Sequence, residues 1–232
     1  MATGDPHQAG RVLRAGAAPG AARLGLVMLH GRGAGAEDIL GLEGMLPVAD
    51  VTAIAPEAAG RSWWPVSFLE PMTALEPWLG SAVGAADRAI ATLEAEGLPR
   101  DRIGLVGFSQ GACLALEAAA RAGGPFLGVW GFSGGLVGTS DAGGPADEAL
   151  YGRAPKRFDY EGDLAGTPVY LGCHARDPHI PLARVEESER VLEGMGASVT
   201  KTIHPGAGHG LLEPDFAALR TAVSLQPNGS SG

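Results

Sequence analysis

The apolar residues of this chain keep changing period, and no other feature constrains the fold as strongly. Short, nearly unbroken apolar runs at 24–30 (LGLVMLH), 51–56, 102–108, 126–132 and 168–175 alternate with stretches of helical spacing at 78–96, 110–122 and 182–195. A strand buried on both faces reads as a continuous apolar run, and strands that alternate with helices build a mostly parallel sheet covered on both sides. A short helix at 37–46, a strand at 198–204 and a helix at 214–224 complete the pattern. The chain of 232 residues fits a single domain. The expectation is therefore one doubly wound α/β domain over 23–225. Residues 1–22 form an N-terminal extension or edge strand, and 226–232 a flexible tail. Residues 134–167 show little pattern; a loop of that length either holds a short helix, for which 146–151 is the candidate, or covers a site.

Charge and cysteine usage exclude several functions. Net charge is −9, and only two lysines, Lys156 and Lys201, stand among the 17 basic residues. With no basic cluster to offset this, the chain repels phosphate backbones and anionic lipid surfaces, so nucleic acid is not an expected partner. No run approaches the ~18 apolar residues of a membrane span, and the N-terminus lacks the basic start and apolar stretch of a signal peptide. The expected location is cytoplasmic. Cys113 and Cys173 each lie in an apolar stretch and read as buried free thiols. The sequence leaves a homodimer open.

Two segments match Gly-x-Ser-x-Gly: Gly107-Phe108-Ser109-Gln110-Gly111 and Gly131-Phe132-Ser133-Gly134-Gly135. With 37 glycines in the chain, about 0.3 such matches arise by chance, so context has to decide between them. A nucleophile elbow needs a strand before the serine, a sharp turn at it, and a helix directly after, whose free N–H groups face a developing oxyanion. Ser109 stands between the strand RIGLVGF and the helical QGACLALEAAARA, whereas Ser133 runs into Gly134-Gly135-Leu136-Val137-Gly138. Ser109 is the candidate nucleophile.

A serine needs a base, and the base an orienting carboxylate. In an open α/β sheet these groups belong at the C-terminal ends of strands. Asp177, two residues beyond the 168–175 strand, and His209, in the turn PGAGHG after the 198–204 strand, stand there in the order Ser109, Asp177, His209. His204 is the competing base, but it belongs to the strand itself. The backbone N–H groups of Arg32, in the glycine-rich turn after the first apolar run, and of Gln110 are the candidate oxyanion donors. Trp63, Trp64 and Phe68, with loop 134–167, are the candidate substrate walls, and the Arg32 guanidinium either meets a carboxylate or other polar group of the substrate or faces solvent. Cys173, His174, Asp177 and His179 are metal-ligand types. Adjacent strand residues face opposite ways, however, and no second ligand group has zinc-like spacing, so no metal or cofactor is expected.

Five segments, HGRGAGAED, WWPVSF, GFSQGACLAL, CHARDPHIP and PGAGHG, resemble in this order the phospholipase/carboxylesterase family of serine α/β-hydrolases, which includes the acyl-protein thioesterases. The likeness runs over nearly the whole chain. It implies an α/β-hydrolase fold and cofactor-free hydrolysis of small-molecule carboxylic esters or thioesters, and since the sheet and its helices use up the chain, no separate cap domain is expected. It also implies Ser109, Asp177 and His209 as triad, with Arg32 and Gln110 at the oxyanion hole. Arg32-Gly33-Ala34 stands where acyl-protein thioesterases usually carry Leu-Gly-Asp, and Trp63-Trp64-Pro65 is more similar to a bacterial carboxylesterase branch. The resulting expectation is a carboxylesterase acting on short- to medium-chain esters through an acyl-enzyme. The alternatives are an acyl-protein thioesterase or lysophospholipase and, from another class, a catalytically silent hydrolase fold that binds a ligand.

Overall fold

A computed structural model describes residues 4–46 and 49–224. The expected tail at 226–232 lies outside them. In chain order the elements are β1 (Val12–Gly16), β2 (Leu24–Leu29), α1 (Ala36–Leu40), β3 (Val51–Pro56), α2 (Met72–Leu75), α3 (Trp78–Ala95), β4 (Ile103–Phe108), α4 (Gln110–Ala122), β5 (Gly128–Phe132), β6 (Pro168–Arg176), α5 (Leu182–Gly194), β7 (Ser198–Ala207) and α6 (Glu213–Ser224). The seven strands lie in the order β1-β3-β2-β4-β5-β6-β7. Among the described residues only β1 is antiparallel, pairing along β3 from Val12↔Pro56 to Gly16↔Thr52. This is an α/β-hydrolase fold, a mostly parallel doubly wound sheet with helices on both faces.

Alternation of side chains along each strand divides the core in two. From β2, Val27 and Leu29 enter a cluster with α3, α4 and α5, while Leu24, Leu26 and Met28 pack on the other face with α1 and α6. Every residue of β2 and β3 is buried. Their unbroken apolar runs follow from that two-sided covering.

The helix expected at 37–46 is shorter than its apolar spacing suggested. α1 ends at Leu40, and a separate 3₁₀ turn covers Glu43–Met45. Gly41 and Gly44 interrupt the segment, and glycine disfavours a helix by its backbone entropy. The strands at the other edge run longer than expected. β6 and β7 remain paired to Arg176↔Ala207 across a register shift after His174. Asp177 and His209 therefore leave the sheet side by side. Loop 134–167 has a single 3₁₀ turn, Glu148–Leu150, within the expected 146–151, capped by Asp147, which accepts the Ala149 N–H at 2.9 Å. The loop lies against the segment before α2: Gly138 N–H donates to the Phe68 carbonyl at 2.7 Å and Thr139 Oγ1 to that of Leu69 at 2.8 Å. Buried Arg184 of α5 holds the start of the loop through the carbonyls of Leu136 and Gly138. No helix among the described residues is long and apolar enough to cross a membrane.

Candidate active site

Ser109 sits between β4 and α4 with φ 56° and ψ −119°, a left-handed backbone that a non-glycine residue adopts only when its surroundings enforce it. Its neighbours show why glycine is needed on both sides. A Cβ at Gly107 would lie 2.1 Å from the Gly111 carbonyl oxygen, and one at Gly111 2.0 Å from that of Leu29. Strand and helix approach too closely for any side chain there. The half-buried Ser109 hydroxyl faces a cavity of about 510 Å³.

Ser133 has the same backbone twist, φ 53°, at the end of the neighbouring strand. It is 1 % exposed, its hydroxyl has no hydrogen-bond partner among the described residues, and no helix directly follows it. A Cβ at Gly134 would lie 2.5 Å from that of Ala112, so α4 covers this turn. Ser133 is a buried strand end.

His209 bridges the other two groups. Its Nε2 lies 2.8 Å from Ser109 Oγ and its Nδ1 2.8 Å from Asp177 Oδ2. An ionised carboxylate only accepts, so Nδ1 carries the proton and Nε2 accepts from the serine hydroxyl. The Asp177 side chain is fully buried. Burial alone raises its pKa, but the His209 bond and the backbone N–H groups of His179 and Ile180, at 2.8 and 3.1 Å, outweigh it and hold the carboxyl below its ordinary range.

The turn after β2, which holds the candidate oxyanion donor Arg32, is fixed from several sides. His30 Nε2 accepts the Ala58 N–H at 3.0 Å, which leaves Nδ1–H to donate to the Gly31 carbonyl at 2.8 Å. The Gln110 side chain accepts the Trp63 N–H and donates to the Trp64 carbonyl, both at 2.8 Å, and so ties the start of α4 to segment 63–64. Among the described residues neither the Arg32 nor the Gln110 backbone N–H is engaged, and both residues line the cavity.

The expected substrate walls need correction. Trp64 and Phe68 line the cavity, together with Phe108 and Ile180. Trp63 does not. It is fully buried, its Nε1–H donates to the His30 carbonyl at 2.9 Å, and its ring packs on His30 and His7. It supports the turn after β2 from behind. Loop 134–167 contributes no lining residue, because it lies against the outer side of segment 68–70. Cys113 reaches the cavity floor, and burial pushes its thiol up to about 12. His204 faces away, with Nε2 3.0 Å from each carboxylate oxygen of Asp215 on α6.

Sequence reasoning missed three contributors. His7 lies in the unpatterned N-terminal segment, yet its Nδ1 accepts the Ala59 N–H at 3.0 Å and its Nε2–H donates to the Trp63 carbonyl at 2.9 Å. His179, next to Pro178 in the Asp177 turn, lines the cavity with its ring edge-on to His209, 4.8 Å between centroids. The third is the Gln110 side chain, whose residue was noticed only for its backbone. Among the described residues no three His, Cys, Asp or Glu side chains converge as metal ligands.

Comparison with known proteins places this geometry in context. The family model described as phospholipase/carboxylesterase matches residues 20–143. The phospholipase/carboxylesterase of Dyadobacter fermentans is 33% identical, with 93% of this chain and 97% of that one covered and a TM-score of 0.82. Esterase PE8 is 26% identical over 93% of this chain and 98% of its own, TM-score 0.69. The Bacillus cereus carboxylesterase shares the fold at 17% identity and TM-score 0.67, covering 92% of this chain and 93% of its own. No curated protein matches the chain in sequence.

Proposed function

Since the chain belongs to the phospholipase/carboxylesterase family and is a carboxylic ester hydrolase, we propose that Ser109, His209 and Asp177 carry out the reaction as a catalytic triad. The observation that supports this reading is the pair of 2.8 Å contacts from His209 to Ser109 and Asp177. His209 Nε2 takes the hydroxyl proton as Ser109 Oγ attacks the ester carbonyl, and Asp177 stabilises the imidazolium and fixes its tautomer. The tetrahedral oxyanion is bound by the Arg32 N–H in the turn after β2 and by the Gln110 N–H at the start of α4, where the helix dipole favours negative charge. The C–O bond then breaks, His209 gives its proton to the leaving alcohol, and the acyl group remains on Ser109. Water repeats the cycle, yielding the free acid and restoring the serine.

The substrate is a short- to medium-chain ester. The cavity of about 510 Å³ has an apolar wall of Trp64, Phe68, Phe108 and Ile180, enough to cover a short acyl chain. A palmitoyl thioester cleaved much faster than a butyryl ester would replace this reading by a thioesterase.

A fluorophosphonate probe tests the triad. Intact-mass analysis should show one adduct, lost in Ser109→Ala and kept in Ser133→Ala, with ester turnover following the same pattern. Folded protein that takes no label and cleaves no ester would be a silent binding fold.

A further inference from the structure

The charge of the cavity is out of step with the rest of the molecule. The chain carries 26 acidic residues, yet no residue lining the cavity is acidic. Asp177 lies behind His209 with its carboxylate fully buried. The permanently charged side chain on the wall is Arg32. Nine arginines each pair with a carboxylate; among the described residues Arg32 is one of six that do not, and of these six it is the one that lines the cavity. It donates instead to two backbone carbonyls, those of Pro65 at 3.1 Å and of Val66. Those bonds lay the guanidinium along the cavity wall and leave Nε–H and one N–H on each Nη unspent. Arg32 is exposed at the cavity rim, where partial desolvation lowers its pKa and the guanidinium stays open to an incoming anion.

We propose that this cavity selects small esters bearing a carboxylate, with the Arg32 guanidinium as its counter-ion. The inference rests on the esterase reading of the same site and adds the substrate class. Arg32 contributes at both ends: its backbone N–H faces the oxyanion and its side chain the carboxylate. The two negative groups are thus no farther apart than an arginine side chain reaches, so the carboxylate lies within a few bonds of the scissile carbonyl. Charge-assisted bonds to a planar guanidinium are the strong class of hydrogen bond, and a neutral ester leaves the cation unpaired.

The test is kcat/KM, from acid release at constant pH, for two matched pairs: monomethyl against dimethyl succinate, and acetoxyacetate against its methyl ester. The first pair puts the anion on the acyl side and the second on the alcohol side. Wild type should favour the anionic member of at least one pair by roughly 10-fold or more. The preference should shrink as salt rises. Arg32→Leu should collapse the ratio and Arg32→Lys retain part of it. Because each ratio is taken within one protein, general damage to the oxyanion turn cancels. Should Arg32→Leu fail to fold, the salt dependence in wild type and a rise of its melting temperature with succinate carry the test. Anionic members no better than neutral ones, with ratios flat in salt, would overturn the inference while Ser109-dependent hydrolysis of neutral esters left the esterase reading standing. Cleavage of no ester, with no fluorophosphonate adduct, would overturn both.

Discussion

Replacing His7 with asparagine should change not only stability but its dependence on pH. The His7 ring is 2 % exposed, between the rings of Trp63 and Trp78, with centroids 5.3 and 5.7 Å away. Its Nδ1 accepts from Ala59, so a second ring proton has nowhere to bond. Burial is the largest influence and lowers its pKa below the ordinary 6.5, against smaller opposing effects of the Trp63 carbonyl and Asp5. The unfolded chain then takes up a proton as pH falls through 6.5 while the folded chain does not, so this group's stabilisation is present above that pH and lost below it. With the native ring kept neutral throughout, acidification from about pH 7.5 to about pH 5.5 costs up to about 1.4 kcal/mol. His7→Asn keeps an acceptor for Ala59 but loses the Trp63 bond and ring packing, about 2 kcal/mol at neutral pH. The gap between wild type and variant should therefore narrow on acidification by as much as about 1.4 kcal/mol, or roughly 3–5 °C in melting temperature for a domain of this size. Urea melts of both proteins at the two pH values measure it, and taking the difference cancels every other titrating group. A constant gap would show that His7 titrates in the folded protein as it does in the unfolded chain, and a widening one that folding raises its pKa; either would refute the reasoning.

Asp177→Asn should lower kcat by up to about 10⁴-fold with little change in KM, because an amide no longer enforces the tautomer that frees Nε2; steady-state kinetics on a butyryl ester read this directly. Both adjacent tryptophans are fully buried, so Trp63→Ala and Trp64→Ala should each destabilise the fold by about 3–5 kcal/mol in denaturant melts, while Trp64→Ala should in addition raise KM more than it lowers kcat. Gly111→Ala should leave little soluble protein, since its Cβ would lie 2.0 Å from the Leu29 oxygen, while Gly210→Ala, with nothing within 4 Å, should melt near wild type.

Much of this protein was legible in its residues because the physics involved is local. Apolar runs such as 24–30 are continuous because parallel strands are covered on both faces, and strand–turn–helix context separated Ser109 from Ser133 although both match one motif. Ser109, Asp177 and His209 could be named because each follows a strand end. The sequence alone determined which residues stand at those ends. Only the tertiary structure decided what meets there. The extra pairing of β6 with β7 as far as Arg176↔Ala207 sets Asp177 beside His209, and strand extension depends on a partner distant in sequence. Trp63 and Trp64 are neighbours with like side chains and both are fully buried, yet one packs behind the turn after β2 and the other against the cavity. Their burial is set by long-range packing against His7, His30 and α4, and no local pattern encodes it. The same holds for Arg32: its charge is written in the sequence, but its lack of a carboxylate partner exists only once the chain has folded around it.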